Sequence, residues 1–301
     1  MKKYPVLTND GHDIRMSSDN TRYVIDGAEY VRVSEVLTTQ PKAGLDAWKK
    51  RLGEENSIVI ANALADMGEK IHTITALDDL EKEDKVYAMV EKDEWLLPFL
   101  YMWREWRDRF VAAWLAIEYV VWSTKYGVAG RTDRIGVIKG DNQPSSIDIK
   151  SGGFWPEHEL QLAIYKIMHN ETQKFKVERT ALVGFNYPKR DGKFTSVEDY
   201  VKEKMNPTSL KFRECTSKET ETEARKIMKE YRKMFGRRKE KGHGNGKIHG
   251  NKGRSDEDSP CGGKGLPHGT GVQQGGEQNG QRNKLPYGHG SGPLQRLSHR
   301  L

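Results

Sequence analysis

Strands that lead into a helix and then into a further strand place this chain in the α/β class, a sheet with helices packed on it. Three observations carry that expectation. Three strand-like runs follow one another, AIEYVVWS, GRTDRIGVI and SSIDIKS. A helix-forming segment from Pro156 to His169 comes directly after them, with proline at an early helical position. Beyond it VERTALVGFNY reads as a buried strand.

The elements follow in order. TRYVIDGAEYVRV reads as a hairpin, because two β-branched and aromatic runs flank Asp26-Gly27, a two-residue turn signal. Ser34 is placed to cap a short helix, SEVLTT, ending before Pro41. Helical spacing returns from about Leu45 through Leu80, with Ile58, Ala61, Leu64, Ala65 and Ile71 as its apolar positions. The charged stretch DDLEKEDK that follows predicts an exposed surface. From Trp95 to about Leu115, aromatic residues at three- and four-residue intervals (Phe99, Trp103, Trp106, Phe110, Trp114) predict a long helix with a buried face. After the core strands, GKFTSVEDY reads as an edge strand and ETEARKIMKEYRKMF as a closing amphipathic helix. The expected organisation is one domain over residues 1–235: an N-terminal hairpin and helical region about 20–116, a core about 117–200, and the closing helix about 219–235. Residues 236–301 read as a disordered, glycine-rich basic tail.

Charge divides the chain at the same point. The tail carries 12 Lys or Arg against 5 Asp or Glu, leaving 38 against 38 for residues 1–235, so the net charge of +7 belongs to the tail. A neutral body would meet a polyanion through a local patch or through metal ions rather than through its overall field. Two cysteines, Cys215 and Cys261, provide no disulfide framework, zinc knuckle or four-cysteine iron–sulfur cluster. The opening MKKYPVLTNDGHD has lysines with no apolar run behind them, and the most apolar stretch, LLPFLYMW, is broken by Pro98 and followed by REWRDR. No signal peptide and no membrane span are expected, and a cytoplasmic location is.

The chemistry concentrates in GVAGRTDRIGVIKGDNQPSSIDIKSG, residues 127–152. In SSIDIKSG, strand alternation puts Asp148 and Lys150 on one face and Ile147 and Ile149 on the other. Asp133 stands at the end of the preceding strand, one short connection away. Two carboxylates brought that close repel unless a cation lies between them. Mg²⁺ suits such a place, because it takes a few carboxylate oxygens and keeps positions for water and phosphate oxygen. Lys150 on the same face could orient or help deprotonate a water, or stabilise charge on a phosphate. Together these residues describe metal-assisted phosphodiester hydrolysis. The alternative is structural: a buried Asp148–Lys150 ion pair, with Asp133 paired to Arg131 or Arg134. Gln161 and Tyr165, four apart on the next helix, share one face, and His72 sits mid-helix four residues after Gly68.

Gly68-x-x-x-His72, Gly130-x-x-Asp133, Asp148-Ile-Lys150 and Gln161-x-x-x-Tyr165, in that order, resemble the RecB-like branch of the PD-(D/E)XK nuclease superfamily. YVRVSEVLTTQPKAGLDAWKKR is similar to the N-terminal segment of phage-type exonucleases in that branch, relatives of the mitochondrial genome-maintenance exonuclease. The resemblance covers roughly residues 20–200. It implies a restriction-endonuclease-like mixed sheet flanked by helices, with the acids on a central hairpin. It also implies His72, Asp133, Asp148 and the backbone carbonyl of Ile149 as metal ligands, Lys150 as the catalytic lysine, and Gln161 and Tyr165 as residues that support the site and contact DNA. Many superfamily members have an acid where His72 stands; Glu118 is the candidate to supply one, with a purely structural role as its alternative. The implied activity is that of a Mg²⁺-dependent DNA exonuclease, Mn²⁺ substituting, acting on linear DNA with free ends in recombination, replication or end processing. A restriction-type endonuclease and a non-catalytic DNA-binding recombination partner are the competing readings. The implied associates are a recombination or single-strand-binding protein and a second copy of the chain. With no helicase segment and no complete phosphate-binding loop, any motor would be a separate protein.

Overall fold

The computed structural model describes residues 5–188 and 194–235. It is a mixed α/β fold built on one eight-stranded sheet. Its strands are β1 (Ile14–Met16), β2 (Arg22–Ile25), β3 (Ala28–Arg32), β4 (Val111–Ser123), β5 (Val128–Ile138), β6 (Pro144–Lys150), β7 (Arg179–Asn186) and β8 (Ser209–Glu214). Its helices are α1 (Val33–Val36), α2 (Ala43–Leu52), α3 (Glu54–Asp79), α4 (Glu83–Lys92), α5 (Leu97–Phe110), α6 (Pro156–Thr172), α7 (Val197–Lys204) and α8 (Lys218–Phe235). Among the described residues, no helix is long and apolar enough to cross a membrane. The tail expected over 236–301 lies outside the described residues.

The path across the sheet is β1-β2-β3-β5-β6-β7-β8, with β4 on β5. The hairpin β2–β3 forms as expected around Asp26 and Gly27, both at positive φ (50° and 80°), as a two-residue turn of matching twist requires. β5 is the organising strand. One of its edges pairs with β4 along the full length. Its other edge is shared: β3 runs parallel to it at Val128–Ala129, and β6 runs antiparallel from Arg134 onward. Between those ladders, residues 130–133 are left without a strand partner on that edge, and the sheet opens.

Apolar side chains pack on both faces. Leu115, Val121, Ile135 and Val137 meet Ile164, Ile167 and Met168 of α6 and Ile227, Met228 and Tyr231 of α8. On the other face Ile147, Ile149, Val183 and Phe185 meet Ile71 and Ile74 of α3 and Phe99 and Trp103 of α5. Alternation in β6 therefore sends Asp148 and Lys150 to the α6 side, away from the isoleucines.

Several local expectations are corrected. The helix predicted to reach about Leu115 ends at Phe110, and Trp114 belongs to β4. There it stacks on Trp103 at 5.9 Å and 3°, so the aromatic stripe is drawn from two elements and is core except for Phe110, which is exposed. The helix over 45–80 is broken at Gly53 (φ 82°) into α2 and α3. Of its expected apolar positions Ile71 is buried, while Ile58 is half exposed, and Ile60, Met67 and Ile74 complete the buried stripe. Ser34 lies inside α1, whose N-cap is Arg32. In the GKFTSVEDY segment, residues 192–193 lie outside the described residues and Val197 onward is α7, begun by a Ser196 side-chain cap; the edge strand is β8. The DDLEKEDK stretch is not wholly exposed. Asp78 binds Arg104 and Arg107, and Asp79 forms a fully buried pair with Arg134 at 2.7 Å.

Candidate active site

The opening beside residues 130–133 is a cleft of about 550 Å³. Its walls include His72 from α3, Glu118 from β4, Gly130 and Asp133 from β5, Asp148 and Lys150 from β6, and Gln161 and Tyr165 from α6. All six side chains singled out from the sequence, together with the candidate Glu118, thus face one cavity.

Each reaches it for a local reason. β5 and β6 stop pairing after Arg134–Ile147, so the Ile149 N–H has no ladder acceptor; the Asp133 carboxylate takes its place, Oδ2 accepting at 2.7 Å. Within a strand the amide and carbonyl of one residue point to the same edge, so the carbonyl of Ile149 is directed to the same gap. His72 Nδ1 lies 3.3 Å from the same Oδ2. Gly130 is required sterically. A β-carbon there would lie 2.6 Å from Tyr165 Cε1 and 2.9 Å from Val33 Cγ2.

A chain of polar contacts runs from the acid to the helix. Lys150 Nζ is 2.6 Å from Asp148 Oδ2 and donates to Gln161 Oε1 at 3.0 Å; Gln161 Nε2 donates to the Tyr165 hydroxyl at 2.9 Å. The structural pairing expected for Asp148 and Lys150 is therefore present, but Asp133 pairs with His72 and not with either arginine. Those arginines hold Glu118: Arg131 Nε at 2.9 Å and Arg134 Nη1 at 3.1 Å. Glu118 has φ 52°, a left-handed conformation in the middle of a strand that costs a non-glycine residue about 1–2 kcal/mol.

The charges are mutually tuned. Burial opposes ionisation of Asp133, yet His72, Lys150 and the Ile149 amide outweigh it and hold its carboxyl below the ordinary range. Asp148, more dominated by burial and repelled by Asp133 despite Lys150, is pushed up to about 6. Burial also raises Glu118, reinforced by Asp133. His72 is desolvated, but the charge of Asp133, and after it Asp148 and Glu118, lifts its imidazole above the usual value. Burial raises the Tyr165 phenol strongly, so it keeps its proton and can donate it in a hydrogen bond.

This donor set fits a cation. His72, Glu118 and Asp133 each offer a ligand atom, all within 4.8 Å of one another. Asp148 Oδ2 is buried and meets the Lys150 ammonium at 2.6 Å, a contact with a cation that a metal ion could share. One imidazole among carboxylates is a set that serves Mg²⁺ and suits Mn²⁺ at least as well.

Residues with no motif signature complete the site. Arg134, wholly buried, also donates to the Thr75 hydroxyl, and it ties Glu118 to Asp79 of α3. The signal was present in DDLEKEDK: two acids in the last turn of a helix oppose its dipole, so another partner has to hold them.

Comparison with protein-family profiles and with curated proteins gives no match.

Proposed function

We propose that the chain is a divalent-metal-dependent deoxyribonuclease, acting on the ends of linear DNA. The observation that carries the reading is the convergence of His72, Glu118, Asp133 and Asp148 with Lys150 in a single cleft. Two buried carboxylates, one protonated far more readily than its neighbour, form an expensive arrangement for a structural ion pair and a useful one for a cation.

His72, Glu118 and Asp133 would hold the ion, with Asp148 and the Ile149 carbonyl completing its shell. A bound divalent ion would polarise the scissile phosphate and lower the pKa of a coordinated water. The protein's own groups do the rest. Lys150, oriented by Asp148 and Gln161, places a positive charge beside the attacked phosphate and a hydrogen-bond donor on the attacking water. Tyr165 donates to a phosphate oxygen from a buried, fixed position, and Gln161 keeps both side chains in register. Arg131, the more exposed guanidinium on Glu118, can release it at small cost when the carboxylate turns to a metal.

The preference for ends draws on the motif resemblance, through the Gln161/Tyr165 helix and the N-terminal helical region. The test is digestion of end-labelled linear DNA, single- and double-stranded, beside a closed circle, with Mg²⁺, Mn²⁺ or EDTA. Metal-dependent loss of linear DNA only, absent in folded Lys150→Ala, is expected. Cleavage of the circle would move the reading to an endonuclease; DNA binding without turnover would make the chain a binding partner.

A further inference from the structure

A second group of cations lies outside the cleft but in register with it. Directly paired residues of neighbouring strands share a face of the sheet. Asp148 pairs with Leu182 and Leu182 with Arg213, while Lys150 pairs with Gly184 and Gly184 with Lys211. The two rows that carry the acid and the lysine of the cleft therefore end, on edge strand β8, in two cations on the same face. The separation of two strand spacings is roughly 10 Å, within reach of phosphates on one continuous strand.

Aromatic rings hold these cations. Phe154 lies across Gly184, where a β-carbon would be 2.6 Å from its Cε1. Lys211 Nζ is 4.6 Å and Arg213 Cζ 5.1 Å from the centre of that ring. Lys204 sits over Tyr187 at 4.4 Å. The next residue after Phe154 is Trp155, 45% exposed and seated against Gly44 of α2. Arg213 is shared with Glu159 at 3.0 Å and Lys204 with Glu203 at 3.5 Å, whereas Lys211 meets a ring and not a carboxylate among the described residues. Burial, and the charges of Arg213 and Lys204 close by, lower the Lys211 ammonium, as expected where positive charges gather without enough counter-charge.

We propose that Lys204, Lys211, Arg213 and the exposed indole of Trp155 form a track for a single DNA strand that continues from the cleft, the cations taking phosphates and the indole stacking on a base. The assignment of this strand as substrate rests on the nuclease reading; the binding itself does not. Edge lysines also guard sheets against edge-to-edge pairing. That duty needs neither a shared row with the acids nor an uncovered tryptophan beside them. A stack on one ring tolerates any base, so the track would be indifferent to sequence.

The test reads binding without metal, so that cleavage does not enter. Anisotropy of a labelled 20-nucleotide single strand, and of the same sequence as a blunt duplex, is followed against salt in EDTA with the full chain. Lys211→Gln/Arg213→Gln should weaken single-strand binding by about tenfold and reduce the slope of log affinity on log salt by about 1.4, roughly 0.7 per phosphate contact. Trp155→Ala should cost fivefold or more with the salt slope unchanged, and Trp155→Phe should recover most of it. Lys226→Gln/Lys229→Gln on α8 removes the same charge elsewhere and serves as the control. Should the glutamine pair melt early, Lys211→Met, which keeps the stem over Phe154, decides in its place. Wild-type affinity in the track variants, or a loss no larger than the control's, overturns the track; so does a loss confined to duplex. A wild-type protein that binds through these residues yet never cleaves would remove the nuclease reading and leave the track standing.

Discussion

Asp148 is the residue on which stability and proposed function pull apart. Its folded-state carboxyl is raised from 3.8 to about 6, chiefly by burial. A raised acid favours the protonated folded form, so the native state is destabilised as pH climbs from about 4 through 6, and carries the full penalty above 6. In EDTA at pH 7.5, Asp148→Asn should therefore melt no lower than wild type and preferably higher, with the difference shrinking as pH falls from 6 toward 4. Mn²⁺ should raise the wild-type melting temperature and leave the variant's nearly unchanged. A variant that melts well below wild type in EDTA at pH 7.5 would show Asp148 to be a stabilising partner of Lys150 and nothing more. Gly130→Ala tests the steric half of the site. The new methyl would have to displace Tyr165 or Val33, at about 1–3 kcal/mol of stability. Moving Tyr165 also moves Gln161 and Lys150, so kcat should fall at least tenfold while chemical denaturation still shows one cooperative transition. An active Gly130→Ala enzyme would mean that the Tyr165 position is not needed. His72 was singled out by the motif resemblance, whereas Asp148 and Lys150 were legible from strand alternation, Gln161 and Tyr165 from a four-residue helical interval, and Asp133 from the short connection between its strand and the next. The geometry of Glu118 was not, because nothing in AIEYVVWS announces a positive φ.

At the scale of elements, the site exists because one strand edge serves two ladders. β3 and β6 cannot both pair with the middle of β5, and the residues between them face a gap. What holds α3 against that gap is the Arg134 network: Asp79 at 2.7 Å, Glu118 at 3.1 Å and the Thr75 hydroxyl at 3.3 Å, with the Trp103 indole also donating to Asp79 at 3.0 Å. Removing Arg134 leaves the buried Asp79 with Arg107 at 3.2 Å and the Trp103 indole, and Glu118 with Arg131, so Arg134→Met should cost about 3 kcal/mol, the low end for breaking a buried pair, by denaturant titration. The double variant Arg134→Met/Asp79→Leu should recover part of that loss but not metal affinity, because Glu118 remains without its buried anchor. Full recovery of Mn²⁺ binding in the double variant would show that Glu118 needs no buried anchor to serve the metal. This network joins residues 55 apart in the chain, which explains why helical and strand periodicity did not reveal it. Periodicity did recover the β2–β3 hairpin, β5, β6, α6, β7 and α8, each long or bounded by clear turn residues. It failed where two patterns overlap: VAAWLA continues the aromatic spacing of α5 and also alternates like a strand, and pairing with β5 decides for the strand. Gly53 breaks the expected long helix because its positive φ cannot continue one. In α7, the Ser196 cap and a charged face outweigh a local sequence that alternates like an edge strand.

For the whole molecule, charge and chemistry are separated along the chain. Every residue assigned to the cleft lies between His72 and Tyr165, and residues 1–235 balance 38 basic against 38 acidic side chains, while residues 236–301 carry the net +7. Long-range attraction for DNA should then come from the tail, and local positioning from the cleft and its surroundings. A chain ending at Phe235 tests this division. Its kcat on end-labelled linear DNA should stay within about twofold of the full chain, since no ligand or lysine is lost. Its KM should rise severalfold at ~50 mM salt, where the tail's cations displace condensed counterions, and the two KM values should converge above ~0.3 M, where exposed charges are screened within a few ångströms. Circular dichroism melts of the two chains establish that the comparison is between folded proteins. Loss of kcat in a folded truncation would place part of the chemistry beyond residue 235. An unchanged KM at low salt would show that the body attracts DNA without the tail, as the cations of β8 would allow.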